Sequence, residues 1–72
     1  MDSIKLLITL NKNGEESVTN FEITREQSIE LRKIIASGDE NKIAEWFSSI
    51  IDILGNKHNI NFKDVENFEI RI

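Results

Sequence analysis

The chain has 72 residues, a formal charge of −4, 39% apolar and 31% charged side chains, which is too apolar for a disordered chain and too charged for a membrane protein. No apolar run approaches the ~20 residues that cross a bilayer. With no cysteine and one histidine, disulfide scaffolds, thiol nucleophiles, cysteine-ligated metals and sites built from two histidines are all excluded.

Residues 1–72 read as a single α+β domain. A domain this small has a core worth only about 3–5 kcal/mol, so self-association or a permanent partner is expected. The N-terminal Met1-Asp2-Ser3-Ile4 has no basic segment followed by an apolar stretch, so no signal peptide is expected. Together with the missing cysteines this makes a cytoplasmic protein the plain expectation. Thirteen isoleucines and eight asparagines suggest an AT-rich genome, bacterial or viral.

From Ser3 to Leu10 the chain alternates, with Ile4, Leu6, Ile8 and Leu10 on one face of a strand. Asn13-Gly14 follows, a hairpin signal because both central residues of a type I′ turn need positive φ. With these two as the loop, Ile4 faces Ile23, Leu6 faces Phe21, Ile8 faces Thr19 and Leu10 faces Ser17 on the core side. Lys5–Glu22, Leu7–Asn20 and Thr9–Val18 pair on the other side, the first being an attractive cross-strand pair. A slip of one residue would put Ile4 and Phe21 on opposite faces.

Thr24-Arg25-Glu26-Gln27 is a capping box. It predicts a helix over about 25–37, with Gln27, Leu31, Ile34 and Ile35 on the core face and Ile29 beside Arg25, Arg32 and Ala36 on the other. Gly38 is a left-handed stop, and Asp39, or Ser37 with Glu40, caps the next helix. That helix is expected over 40–54. Ile43, Phe47, Ile50 and Leu54 form its spine, Ala44 and Ile51 flank one side, and Trp46 and Ile53 the other. Asn41, Glu45, Ser48, Ser49 and Asp52 make a polar back, and Gly55-Asn56 ends it.

A polar loop, a short apolar pair (Ile60 and Phe62) and a turn at Lys63–Glu66 lead to a last strand over 67–72. There Phe68, Ile70 and Ile72 face inward. The order ββααβ predicts a two-layer fold, with a three-stranded sheet carrying two antiparallel helices on one face. The last strand pairs either parallel to the first, in order 2-1-3, or antiparallel beside the second, in order 1-2-3. The apolar Ile4–Leu10 segment is the better central strand, which favours 2-1-3. The core is expected to hold Leu6, Ile8, Phe21, Leu31, Ile35, Ile43, Phe47, Ile50, Phe68 and Ile70.

Candidate sites are few. His58, in Asn56-Lys57-His58-Asn59, lacks a nucleophile or a second ligand and reads as a solvated loop histidine. Glu26 and Glu30 lie one turn apart but nothing apolar encloses them, so they read as solvated helix surface. Gly14 stands alone, without a phosphate-cradling loop. Arg25, Ile29, Arg32, Lys33 and Ala36 form a mixed basic and apolar strip that suits nucleic acid or an acidic partner, although the net negative charge opposes a large phosphate footprint. Trp46 and Ile53 form a shoulder on helix two, either packed on helix one or exposed as an anchor. The outward sheet face, with Leu7, Thr9, Val18 and Asn20, is a further open surface.

These features predict an acidic interaction module with no enzymatic activity, no cofactor and no metal. Its partner is another protein or a second copy in a homodimer, joined through an edge strand, the bare sheet face or the Trp46/Ile53 shoulder. An inhibitor of a host enzyme carried by a phage or mobile element fits this reading. The alternative is a nucleic-acid-associated protein using the basic strip.

Overall fold

A computed structural model describes residues 3–72. Strands β1 (Ile4–Lys12) and β2 (Glu15–Ile23) form the hairpin, and helices α1 (Arg25–Ser37) and α2 (Glu40–Ser48) follow. Short strands β3 (Ile50–Ile51) and β4 (Lys57–His58) come next, then a 3₁₀ turn (Phe62–Asp64) and β5 (Val65–Arg71).

The β1–β2 register matches the turn chemistry throughout, from Ile4–Ile23 to Lys12–Glu15, with Lys5 opposite Glu22. Asn13 and Gly14 have φ of 54° and 84°, the left-handed geometry of the two-residue loop. Asn11 Oδ1 accepts from the Gly14 N–H and fixes the turn from within. The sheet order is β2-β1-β5, so β1 is the central strand. Its inward side chains Leu6 and Ile8 are fully buried.

Helix α1 starts as its capping box dictates. Thr24 Oγ1 accepts from the Gln27 N–H at 3.1 Å, and Gln27 Oε1 accepts from the Thr24 N–H at 2.8 Å. It ends at Gly38, whose φ of 71° is the left-handed stop. Asp39 Oδ1 then accepts from the N–H groups of Asn41 and Lys42 and starts α2. Leu31, Ile43 and Phe47 drop onto the inward sheet face, forming one core with Ile4, Leu6, Ile8, Phe21, Ile23, Ile50 and Ile60. Phe47 is its hub, edge-on to Trp46 and Phe68 and stacked on Phe62 at 5.4 Å.

The structure corrects the sequence reading at several points. Helix α2 ends at Ser48 rather than Leu54. The Ser48 and Ser49 hydroxyls both donate to the Glu45 carbonyl, at 2.8 and 2.9 Å, competing with the helical ladder. The β-branched residues that follow favour extended backbone, so Ile50–Ile51 pair with Lys57–His58 instead. That hairpin adds a chain reversal. The last strand therefore joins β1 antiparallel, not parallel, while keeping the 2-1-3 order.

β5 begins at Val65, with a register shift opposite Thr9 and Leu10. Ile72 lies beyond it and is 96% exposed rather than inward-facing. Phe68 and Ile70 are half-buried because β5 is an edge strand, and Ile35 on α1 is half-buried at the margin of the core. Ile60, not counted in the expected core, is buried and donates its N–H to the Phe47 carbonyl at 3.0 Å. Among the described residues, no helix is long and apolar enough to cross a membrane.

Candidate functional site

The segment expected to finish helix two forms instead the turn between β3 and β4. Asp52 organises it. Its Oδ1 accepts from the N–H groups of Leu54 and Asn56, at 2.9 and 3.0 Å, an Asx-type turn. The Asp52 N–H donates to the Asn56 carbonyl, and the Gly55 N–H to the Asp52 carbonyl. Gly55 takes a φ of 84°, which a side chain would strain. The remaining oxygen, Oδ2, meets His58 Nε2 at 2.7 Å.

Asp52 is therefore buried, not on a polar helix back, and His58 is half-buried, not solvated. The imidazole stacks on the Phe21 ring, with centroids 4.0 Å apart and planes 10° from parallel. The hydrogen bond from His58 holds the Asp52 carboxyl below the ordinary range; burial opposes this, and the Asn56 and Leu54 amides add to it.

Two further bonds tie this turn to the main body. The Ile53 N–H donates to the Glu22 carbonyl at 3.0 Å, and Gln27 Nε2 donates to the Ile51 carbonyl at 2.6 Å. A pinned turn holds its side chains where they stand. Ile51, Ile53 and Leu54 are exposed, Leu54 by 81%.

Ile53 and Leu54 wall a groove of about 670 Å³ with Glu22, Thr24, Arg25 and Glu26. Beside it, Arg25, Ile29, Arg32 and Ile72 border a second groove of about 480 Å³. Ser3 and Arg25 belong to both grooves, so the two form one surface.

This arrangement unites residues that the sequence placed apart. Arg25, Ile29 and Arg32 share the α1 strip as expected, and Ile53, from another element, shares a groove with Arg25. Trp46 does not. It is half-buried, edge-on to Phe47 at 5.4 Å, in a crevice with Glu30, Ile34 and Lys42. The Trp46/Ile53 shoulder does not form, because α2 ends between the two residues.

Leu7, Thr9, Val18 and Asn20 lie on the outward sheet face as the register requires. Leu7 and Thr9 are half-buried in the central strand, and Val18 and Asn20 are exposed on β2. Glu26 lines the Leu54 groove, while Glu30 sits in the Trp46 crevice.

Sequence reasoning missed Asp52, His58 and Leu54. The available signal was Asp52-Ile53-Leu54-Gly55, in which an Asx-turn residue precedes a glycine by three positions within a β-branched run. Chemically, the Asp52–His58 pair has the first two members of a nucleophile-activating relay. The groove around it is lined by Lys5, Asn20, Phe21 and Glu22, with no serine, threonine or cysteine to activate. Among the described residues, no three metal-ligating side chains converge. Comparison with family models, curated proteins and solved structures finds no match to this chain.

Proposed function

We propose that this chain is an intracellular, non-catalytic protein-interaction module. Its binding surface joins the β3–β4 turn to the basic strip of α1, and it acts by occupying a surface on another protein, as a small inhibitor of an enzyme does. One observation carries the reading. Of the six large apolar side chains exposed among the described residues, four (Ile29, Ile53, Leu54 and Ile72) border the two adjoining grooves. Clustered exposed apolar residues mark interaction sites where scattered ones do not. Arg25 and Arg32 stand among them, and arginine is enriched in interfaces.

The complementary partner presents apolar side chains, with carboxylates toward the Arg25 and Arg32 side, where no acidic residue lines the groove. A photo-crosslinking residue at position 54, compared with one at position 12 at the far end of the sheet, tests this in the native cell. The reading requires a defined protein adduct from position 54 that Arg25→Glu abolishes. Equal adducts at both positions, or adducts indifferent to Arg25→Glu, would refute it.

A further inference from the structure

The sheet has two edges, β2 and β5, and they are unequally protected. In a hairpin with a two-residue loop, the flanking pair exchanges both backbone bonds, and every second pair does so thereafter. Lys12 and Glu15 flank the loop here. The backbone groups of Glu15, Ser17, Thr19, Phe21 and Ile23 therefore face β1, and those of Glu16, Val18, Asn20 and Glu22 face away. The Ile53 N–H bonds the Glu22 carbonyl, as this alternation demands, and closes that end of the edge.

On β5 the Phe68 N–H, which points outward by the same alternation, is occupied by Asn67 Oδ1 at 2.9 Å, and a register shift disturbs the strand's start. Among the described residues, nothing bonds the outward backbone groups of Glu16, Val18 and Asn20. They form a regular, exposed stretch with no lysine, proline or bulge, and Glu16 is the one charge that blunts it. Val18, 61% exposed, is the one large apolar side chain exposed among the described residues of β2.

We propose that this edge is a self-association site. Two copies pair antiparallel about Val18 and join their sheets into one of six strands. The twofold register sets Val18 against its own counterpart and Glu16 against Asn20 of the second copy. Three residue pairs each exchange two backbone bonds. Each carboxylate faces an amide, and Val18 meets Val18 over an outward face that Leu7 and Thr9 continue. Beyond Asn20 the pairing ends, because Ile53 already occupies the outer side of Glu22. Other twofold registers make fewer bonds, or set Glu16 against a carboxylate of Glu16 or Glu22. The contact is small, so the dimer is weak and concentration-dependent.

Sedimentation equilibrium from micromolar to millimolar protein tests it. The wild type should pass from the 8.3 kDa monomer to twice that mass. Val18→Pro removes an N–H that β1 does not use, so the monomer should keep its circular dichroism while association weakens roughly 30-fold or more. A charge pair covers the case where proline disturbs the strand. Val18→Lys and Val18→Glu should each be monomeric alone and should associate when mixed, because position 18 faces itself. A wild type that stays monomeric at millimolar concentration overturns the proposal. So does a dimer that survives both Val18→Lys and Val18→Glu.

Discussion

The imidazole of His58 lies flat on the ring of Phe21, with centroids 4.0 Å apart. This contact links the small β3–β4 hairpin to strand β2 of the main sheet. Its other side is fixed by Asp52 at 2.7 Å, so one side chain locks the turn that presents Ile53 and Leu54. The lock depends on the charge of Asp52. The Asp52 carboxyl titrates below its ordinary value when folded, first because His58 bonds it. Such a group contributes stability above its unfolded pKa, about 3.9 for aspartate, and loses it as pH falls through the lower folded value.

Acid should therefore weaken the wild type below about pH 4 in part through Asp52, and Asp52→Asn should remove that part. Urea unfolding from pH 2.5 to 7 measures it. Wild type and Asp52→Asn should converge toward the acid end. Curves that run parallel across the range would show that the pair does not couple to folding.

Phe47 is fully buried and touches three other aromatic rings. Phe47→Ala should cost about 3–5 kcal/mol, as much as a core of this size supplies. The variant should be largely unfolded at room temperature by circular dichroism. A cooperative melt within a few degrees of wild type would remove Phe47 from the centre of the core.

Gly55 holds the left-handed turn at φ 84°, and a Cβ added there meets nothing within 4 Å. Gly55→Ala thus carries a backbone cost alone, roughly 1–2 kcal/mol. Asn tolerates this region better than Ala does, so Gly55→Asn should recover part of the loss in thermal melts. Equal losses for both would point to a steric cause instead.

How far the sequence could be read follows from how local each signal is. The Asn13-Gly14 turn and the alternation around it constrain each other within twenty residues, and the whole β1–β2 register follows. Thr24 with Gln27, Gly38 and Asp39 are equally local, and all three cap as their chemistry demands. The helix reading of residues 49–54 failed because Phe47, Ile50 and Leu54 recur at helical spacing, and spacing alone cannot separate a helix from a helix followed by a hairpin. Ile50 is buried either way.

The decision rests on Ser48 and Ser49 taking the Glu45 carbonyl, and on Asp52 finding His58 across the turn. The second of these needs the turn already formed. The candidate surface was half legible for the same reason: Arg25, Ile29 and Arg32 share one helix face, whereas Leu54 comes beside Arg25 only through that turn.

Leu54 separates stability from binding. Its side chain is 81% exposed and stands on a backbone held by Asp52, so it contributes contact area to a partner and little to the fold. Leu54→Ser should leave unfolding free energy within about 0.5 kcal/mol of wild type. It should nonetheless abolish the adduct formed by a crosslinker placed at position 29, across the shared surface. Asp52→Ala removes the support rather than the contact, so it should lose both stability and adduct. If Leu54→Ser matched Asp52→Ala in the melt, the exposed turn would be packing, not presentation. If it left the adduct intact, the partner would bind elsewhere on the chain.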